Sequence, residues 1–132
     1  MDVDEERDRL RDLSRRLLRL HKVLLECERR EYEDRYGPVD SGELFRLVLE
    51  HERFAWLRIL SRMIAQIDAA VDAEEPLGAA DADRALRESY RLLKAGGPGE
   101  FQDRYQEALQ RSPEVVMAHA EVSKLLRGMG PG

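Results

Sequence analysis

LRDLSRRLLRLHKVLLECERREY, residues 10–32, carries the pattern from which the fold is read. Leu10, Leu13, Leu17, Leu20, Leu24 and Cys27 recur at alternating steps of three and four, the spacing of one face of an α-helix. On a helical wheel, Leu18, His21, Leu25 and Tyr32 fall on the same half. Arg15, Arg19, Lys22, Glu26, Arg29 and Glu33 fall on the other. The apolar arc covers nearly half the circumference, so this helix lies against several neighbours and not along a single coiled-coil seam. It is predicted to run from about Asp4 to Tyr36, where Gly37-Pro38 stops it.

Beyond that point the helical signals repeat. Asp40-x-x-Glu43 has the form of a capping box ahead of Leu44, Phe45, Leu47 and Val48. This second helix either is short or continues through His51-Glu52-Arg53-Phe54 into the third. Phe54, Leu57, Leu60, Ile64, Ile67 and Val71 mark that third helix, which ends near Ala73 before the turn Glu74-Glu75-Pro76-Leu77-Gly78. A fourth spans roughly Ala80 to Ala95 with Leu86, Tyr90 and Leu93 inward, and Gly96 suits its C′ position. Phe101, Tyr105 and Ala108 fit a short fifth helix. Ser112-Pro113 supplies an N-cap and a first-turn proline for the last, whose face carries Val115, Val116, His119, Val122 and Leu126. No period-2 alternation and no internal repeat appears. The expectation is an all-α, single-domain helical bundle of five to six helices with a long N-terminal helix. The domain takes in residues 1–132, its core lies at about 8–127, and 128–132 form a flexible tail.

Bulk composition narrows the function classes. The chain has 132 residues, 42% of them apolar and 37% charged, with a net charge of −5. Charges of both signs at that density mark helical surfaces and not a disordered chain. Cys27 is alone, which argues for a reducing compartment. The charged start MDVDEERDRL offers no signal-peptide core, and no run reaches the ~18 apolar residues of a membrane span. A cytoplasmic protein with no membrane partner is expected. Lysine occurs only at Lys22, Lys94 and Lys124, an arginine bias typical of a GC-rich bacterial genome.

Several chemistries lack their residues. His51-Glu52 opens a zincin-like motif, but Ala55 stands where the second histidine would be. The residues three before His21, His51 and His119 are Leu18, Val48 and Val116, so the E-x-x-H pair of di-iron bundles is missing. Cys27, flanked by Glu26 and Glu28, is disfavoured as a thiolate and reads as a buried structural thiol. The glycine-rich 95–100 stretch has neither the preceding strand nor the G-K-[ST] ending of a phosphate-binding loop. Arg15, Arg16, Arg19 and Lys22 form a basic patch, but Asp8, Asp12 and Glu26 bracket it at helix-pair spacings. On an acidic chain, no nucleic-acid partner is expected. No catalytic residue, cofactor or metal is assigned.

Two constellations remain. Trp56 lies at the border of the third helix's apolar stripe and Ile59 beyond it. With Phe45, Tyr32 and Tyr36 they could form a patch for a protein partner; alternatively, a short second helix covers Trp56 and Ile59. The other constellation is an inward polar cluster of His21, Glu28 and His119, with Asp68, able in principle to hold a metal or small ligand. The segment RFAWLRILSRMIAQIDAAVDAEEPL, residues 53–77, resembles small all-helical bacterial proteins of unassigned function. The likeness is clearest at Phe54-Ala55-Trp56-Leu57-Arg58 and at Ile67-Asp68 to Glu75-Pro76-Leu77, and it extends over Leu20 to Val39 and the last helix. It implies a natural standalone helical protein and carries no activity or site residues.

The expected function is a non-enzymatic protein–protein interaction or regulatory module. The alternative is a metal- or ligand-binding bundle built on the polar cluster. A first helix of about 33 residues is roughly 50 Å long, more than its shorter neighbours can cover. Its arginine-rich N-terminal part is expected to overhang and to pair with a second copy, giving a homodimer.

Overall fold

The computed structural model describes residues 3–127, so the tail expected at 128–132 lies outside the described residues. Among the described residues, seven helices follow in chain order and there is no strand: α1 Val3–Tyr36, α2 Ser41–Glu50, α3 Glu52–Ala55, α4 Arg58–Asp72, α5 Ala79–Leu93, α6 Glu100–Arg111 and α7 Pro113–Leu126. The architecture is all-α with a long N-terminal helix. None of these helices is long and apolar enough to cross a membrane.

α1 is the axis on which the others assemble. Leu10, Leu13, Leu17, Leu20 and Leu24 are at most 1% exposed, and burying five such side chains contributes on the order of 10 kcal/mol before entropy is counted. α4, α5 and α7 pack on this stripe, while α6 lies across α5 and α7. The first, third, fourth and last predicted helices therefore form the main layer. Leu18 departs from the wheel and stands 54% exposed. Cys27 is only half-buried at the core's edge, less enclosed than its reading as a buried thiol required.

The uncovered part of α1 lies at the end opposite to the one expected. Buried positions on α1 begin at Glu6 and run to Glu28, so the arginine-rich N-terminal part is covered. Past Glu28 no residue of α1 is buried, and its last turn, Asp34 to Tyr36, is exposed. Gly37 ends the helix at φ +95°, its N–H donating to the Glu33 carbonyl at 2.8 Å.

The question of continuity between the second and third helices is settled against it, and a further break appears. Asp40 caps α2, its side chain accepting from the Glu43 N–H at 2.8 Å. His51 is extended (φ −85°, ψ 137°) and serves as the C-cap of α2 and the N-cap of α3. Its ring Nδ1 accepts from the Arg53 N–H at 3.1 Å. α3 lasts one turn, and Trp56 and Leu57, both with right-handed helical backbone angles, form the turn that leads into α4. The predicted third helix is thus two helices, which raises the count to seven.

Long arginines close helix ends from outside. Arg58 donates to the Leu49 carbonyl at 2.5 Å, at the end of α2. Arg7 donates to the carbonyls of Val71, Ala73 and Glu75 at the end of α4. Further on, Gly96 takes φ +73° two residues past the C-cap Lys94. Ser112 caps α7 by accepting from the Val115 N–H at 3.3 Å, with Pro113 in the first turn. The inward face of α7 is Val115, Ala118, Val122 and Leu126; Val116, expected there, is 46% exposed.

Candidate functional site

The four polar residues expected to converge do not. His21 Nε2 lies 2.8 Å from Ser61 Oγ on α4, and Asp68 accepts from Ser14 Oγ at 2.5 Å. His119 pairs with Tyr105 on α6, the phenol oxygen 2.6 Å from Nδ1. Glu28 sits with Trp56. The reason is geometric: α4 takes one flank of α1 and α7 another, so His21 and His119 are satisfied on separate seams. Among the described residues, no group of three or more His, Cys, Asp or Glu side chains is arranged to hold a metal. Burial lowers both imidazoles from their ordinary value, with Lys94 adding to the effect at His119. Burial also pushes the Tyr105 phenol up, so it stays protonated within its hydrogen bond to His119 Nδ1.

Trp56 is a core residue, 5% exposed, and not part of a surface patch. The indole is turned inward, although a helical wheel places it on the border of the stripe. Glu28 of α1 and Phe101 of α6 pack against it. The indole N–H donates to Glu28 Oε1 at 3.1 Å, and its rings lie 5.4 Å from the Phe101 ring. Glu28 is itself buried. Burial raises its carboxyl above the ordinary range; the Trp56 hydrogen bond opposes that, Glu31 adds to it, and Arg104 and Arg53 oppose it again. Glu31 then ties α3 to α6, accepting from Arg53 at 2.9 Å and Arg111 at 2.8 Å. This network fastens three helices.

One outward apolar surface lies on α2; Met117 on α7, 69% exposed, and Leu18 on α1 lie outside it. No residue of α2 is buried, and Leu44, Leu47 and Val48 rest half-buried against the body. Phe45 is 67% exposed and Leu49, one turn later on the same side, 57%. Leu49 was missed in the sequence, although its i, i+4 spacing from Phe45 in a helix too short to have two covered faces is a readable signal. Tyr36, 60% exposed, and half-buried Tyr32 stand at the C-terminal end of α1, their rings 4.7 Å apart. Tyr32 also meets the His51 ring edge-on at 5.5 Å. A cleft of about 320 Å³ runs between Tyr32 and the Glu43–Arg46–Glu50 flank of α2. Of the five predicted patch residues, Tyr32 and Tyr36 meet at this end, and Phe45 stands exposed on α2. Ile59, 49% exposed, lies elsewhere, in a cleft beside Arg62, Met63 and Leu92.

Two of the four basic-patch residues on α1, Arg15 and Arg16, are ion-paired, while Asp8 and Glu26 pair with Arg11 and Arg29 outside the patch. Asp12 faces Arg16 at 3.0 Å and Arg15 at 3.7 Å, and Arg16 also reaches Glu121 on α7. No family model, no curated protein and no solved structure matches the chain.

Proposed function

We propose that this protein is a non-enzymatic interaction module that engages a protein partner, or a second copy of itself, through α2. One observation carries the reading: α2 is amphipathic and well capped, contributes no buried residue, and presents Phe45 and Leu49 to solvent. A helix held in place but withheld from the core is the form in which helix-in-groove recognition supplies its anchors. The engagement of His21, Asp68, Glu28 and His119 in four separate contacts supports a binding role over a catalytic one. A lone thiol, Cys27, fits a reducing bacterial cytoplasm.

The test is quantitative affinity capture from the source cells, comparing the wild type with the doubly charged variant Phe45→Glu/Leu49→Glu. A partner, self included, that the wild type retains and the variant loses supports the reading. Identical recovery by the two proteins overturns it. Both sites are exposed, so the variant is expected to fold, and its circular dichroism provides the control.

A further inference from the structure

His51 differs from the other two histidines in that its hydrogen-bond partner can only donate. His21 meets the Ser61 hydroxyl and His119 the Tyr105 phenol. A hydroxyl can give or receive the hydrogen of its bond, so each of those pairings survives a charge on the ring. His51 Nδ1 instead accepts from the backbone N–H of Arg53 at 3.1 Å. That nitrogen is therefore bare, and the hydrogen of the neutral ring sits on Nε2. An imidazolium carries hydrogen on both nitrogens and would set N–H against N–H across this contact. The capping bond and a charged ring exclude each other.

This contact lies at the joint of the least enclosed helix. His51 is at once the C-cap of α2 and the N-cap of α3, with extended backbone between them. α2 buries no residue, and its chief neighbour among the helices is α3. Its other fastenings are at its ends: Glu33 accepts from the Val39 N–H at 2.9 Å, and Arg58 donates to the Leu49 carbonyl. Charges of both signs surround the ring. Tyr32 of α1 meets it edge-on, Glu43, Arg46 and Glu50 of α2 line the same cleft, Glu52 and Arg53 of α3 follow it in the chain, and Arg58 of α4 holds the carbonyls just before it. A positive charge is favoured at the C-terminus of α2 and disfavoured at the N-terminus of α3.

Resting on the reading of α2 as the contact element, we propose that His51 is an acid-sensitive switch that sets how α2 is seated. With the ring neutral, α3 is capped and α2 is held against the body. An imidazole gains its charge within about pH 5 to 8. As the pH falls and His51 takes a proton, the cap is lost and the ring turns toward the Glu43 and Glu50 carboxylates. α2 then loosens as a local unit, carrying Phe45 and Leu49 with it. The contact surface is preorganised at neutral pH and released in acid.

Nuclear magnetic resonance on the full chain tests the switch without a partner in hand. At about pH 8, long-range proton–nitrogen spectra should show the His51 ring as the Nε2–H tautomer; the Nδ1–H tautomer there overturns the inference. On lowering the pH to about 5.5, amide protection factors at Arg53 and Leu47 should fall about fivefold, the loss of one N-cap, while Leu60 and Ile64 stay protected. His51→Asn, which caps without titrating, should keep its protection throughout. His51→Lys, a cation with no acceptor, should show the acid behaviour already in neutral solution. Wild-type protection at Leu47 that ignores pH overturns the switch. So does an equal fall in the wild type and His51→Asn, which would assign the loss to the surrounding carboxylates. If Phe45→Glu/Leu49→Glu loses a partner while the protection of α2 ignores pH, this inference alone fails and the role of α2 stands.

Discussion

The indole N–H of Trp56 donates to the carboxylate of Glu28 across 3.1 Å, joining the break between α3 and α4 to the last buried residue of α1. Arg53 lies 3.5 Å from the other carboxylate oxygen. Replacing Glu28 by leucine removes the acceptor while leaving the indole N–H and part of Arg53 enclosed, and should cost about 3 kcal/mol. Glu28→Gln keeps an acceptor for Trp56 and should cost about 1 kcal/mol. Urea unfolding followed by the fluorescence of Trp56, the chain's single tryptophan, measures both. Equal midpoints for wild type and Glu28→Leu would refute the structural role.

The histidines set how stability responds to acid. The folded state holds His21 and His119 below their ordinary value of 6.5. As the pH falls through that value, the unfolded chain takes up protons that the folded one refuses. Stability is therefore full above about pH 7 and declines as the pH drops toward 5. Glu28 acts in the opposite sense. Its carboxyl is raised in the fold, so below that raised value the folded state binds the proton first and gains stability until the unfolded carboxyl also protonates. His21→Gln/His119→Gln should flatten the acid decline, and Glu28→Gln should steepen it. Urea midpoints measured at half-unit pH intervals would reveal both changes of slope.

The legible and illegible parts of this fold divide along a physical line. The stripe Leu10–Leu24 was readable because one face of a long helix repeats often enough to outweigh any single residue. Asp40 and Ser112-Pro113 were readable because a cap is local chemistry. The break at His51 and the turn at Trp56–Leu57 were not, since Glu52, Arg53, Phe54 and Ala55 are all compatible with a continuous helix. What interrupts it comes from elsewhere in space: Arg58 occupies the carbonyls that end α2, and Glu28 draws the indole inward. The polar cluster failed for a related reason. A wheel places His21 and His119 on inward faces but cannot say that two different neighbours fill those faces, with Ser61 on one seam and Tyr105 on another.

Arg7 offers a test of capping at a distance. Its guanidinium donates to the carbonyls of Val71, Ala73 and Glu75, groups that the end of α4 leaves unpaired. Arg7→Ala should lower global stability by about 1 kcal/mol and loosen the last turn of α4 first. Amide hydrogen exchange should therefore speed up at Val71 and Ala73 while Leu60 and Ile64 stay protected. Uniform acceleration along α4 would show that Arg7 acts on the whole bundle and not on that terminus.

Gly37 isolates a backbone term. It sits at φ +95°, and an added Cβ would meet no atom within 4 Å, so nothing opposes a side chain there except the conformation itself. Gly37→Ala should cost about 1–2 kcal/mol, the left-handed penalty of an L-residue. Gly37→Asn should cost distinctly less, because asparagine tolerates that region. Because the turn orients α2 relative to the C-terminal end of α1, the alanine variant should also loosen α2, seen as faster amide exchange at Leu44 and Leu47. If Gly37→Ala and Gly37→Asn unfold at the same urea concentration, the turn is not held in the left-handed region and the seating of α2 must have another source.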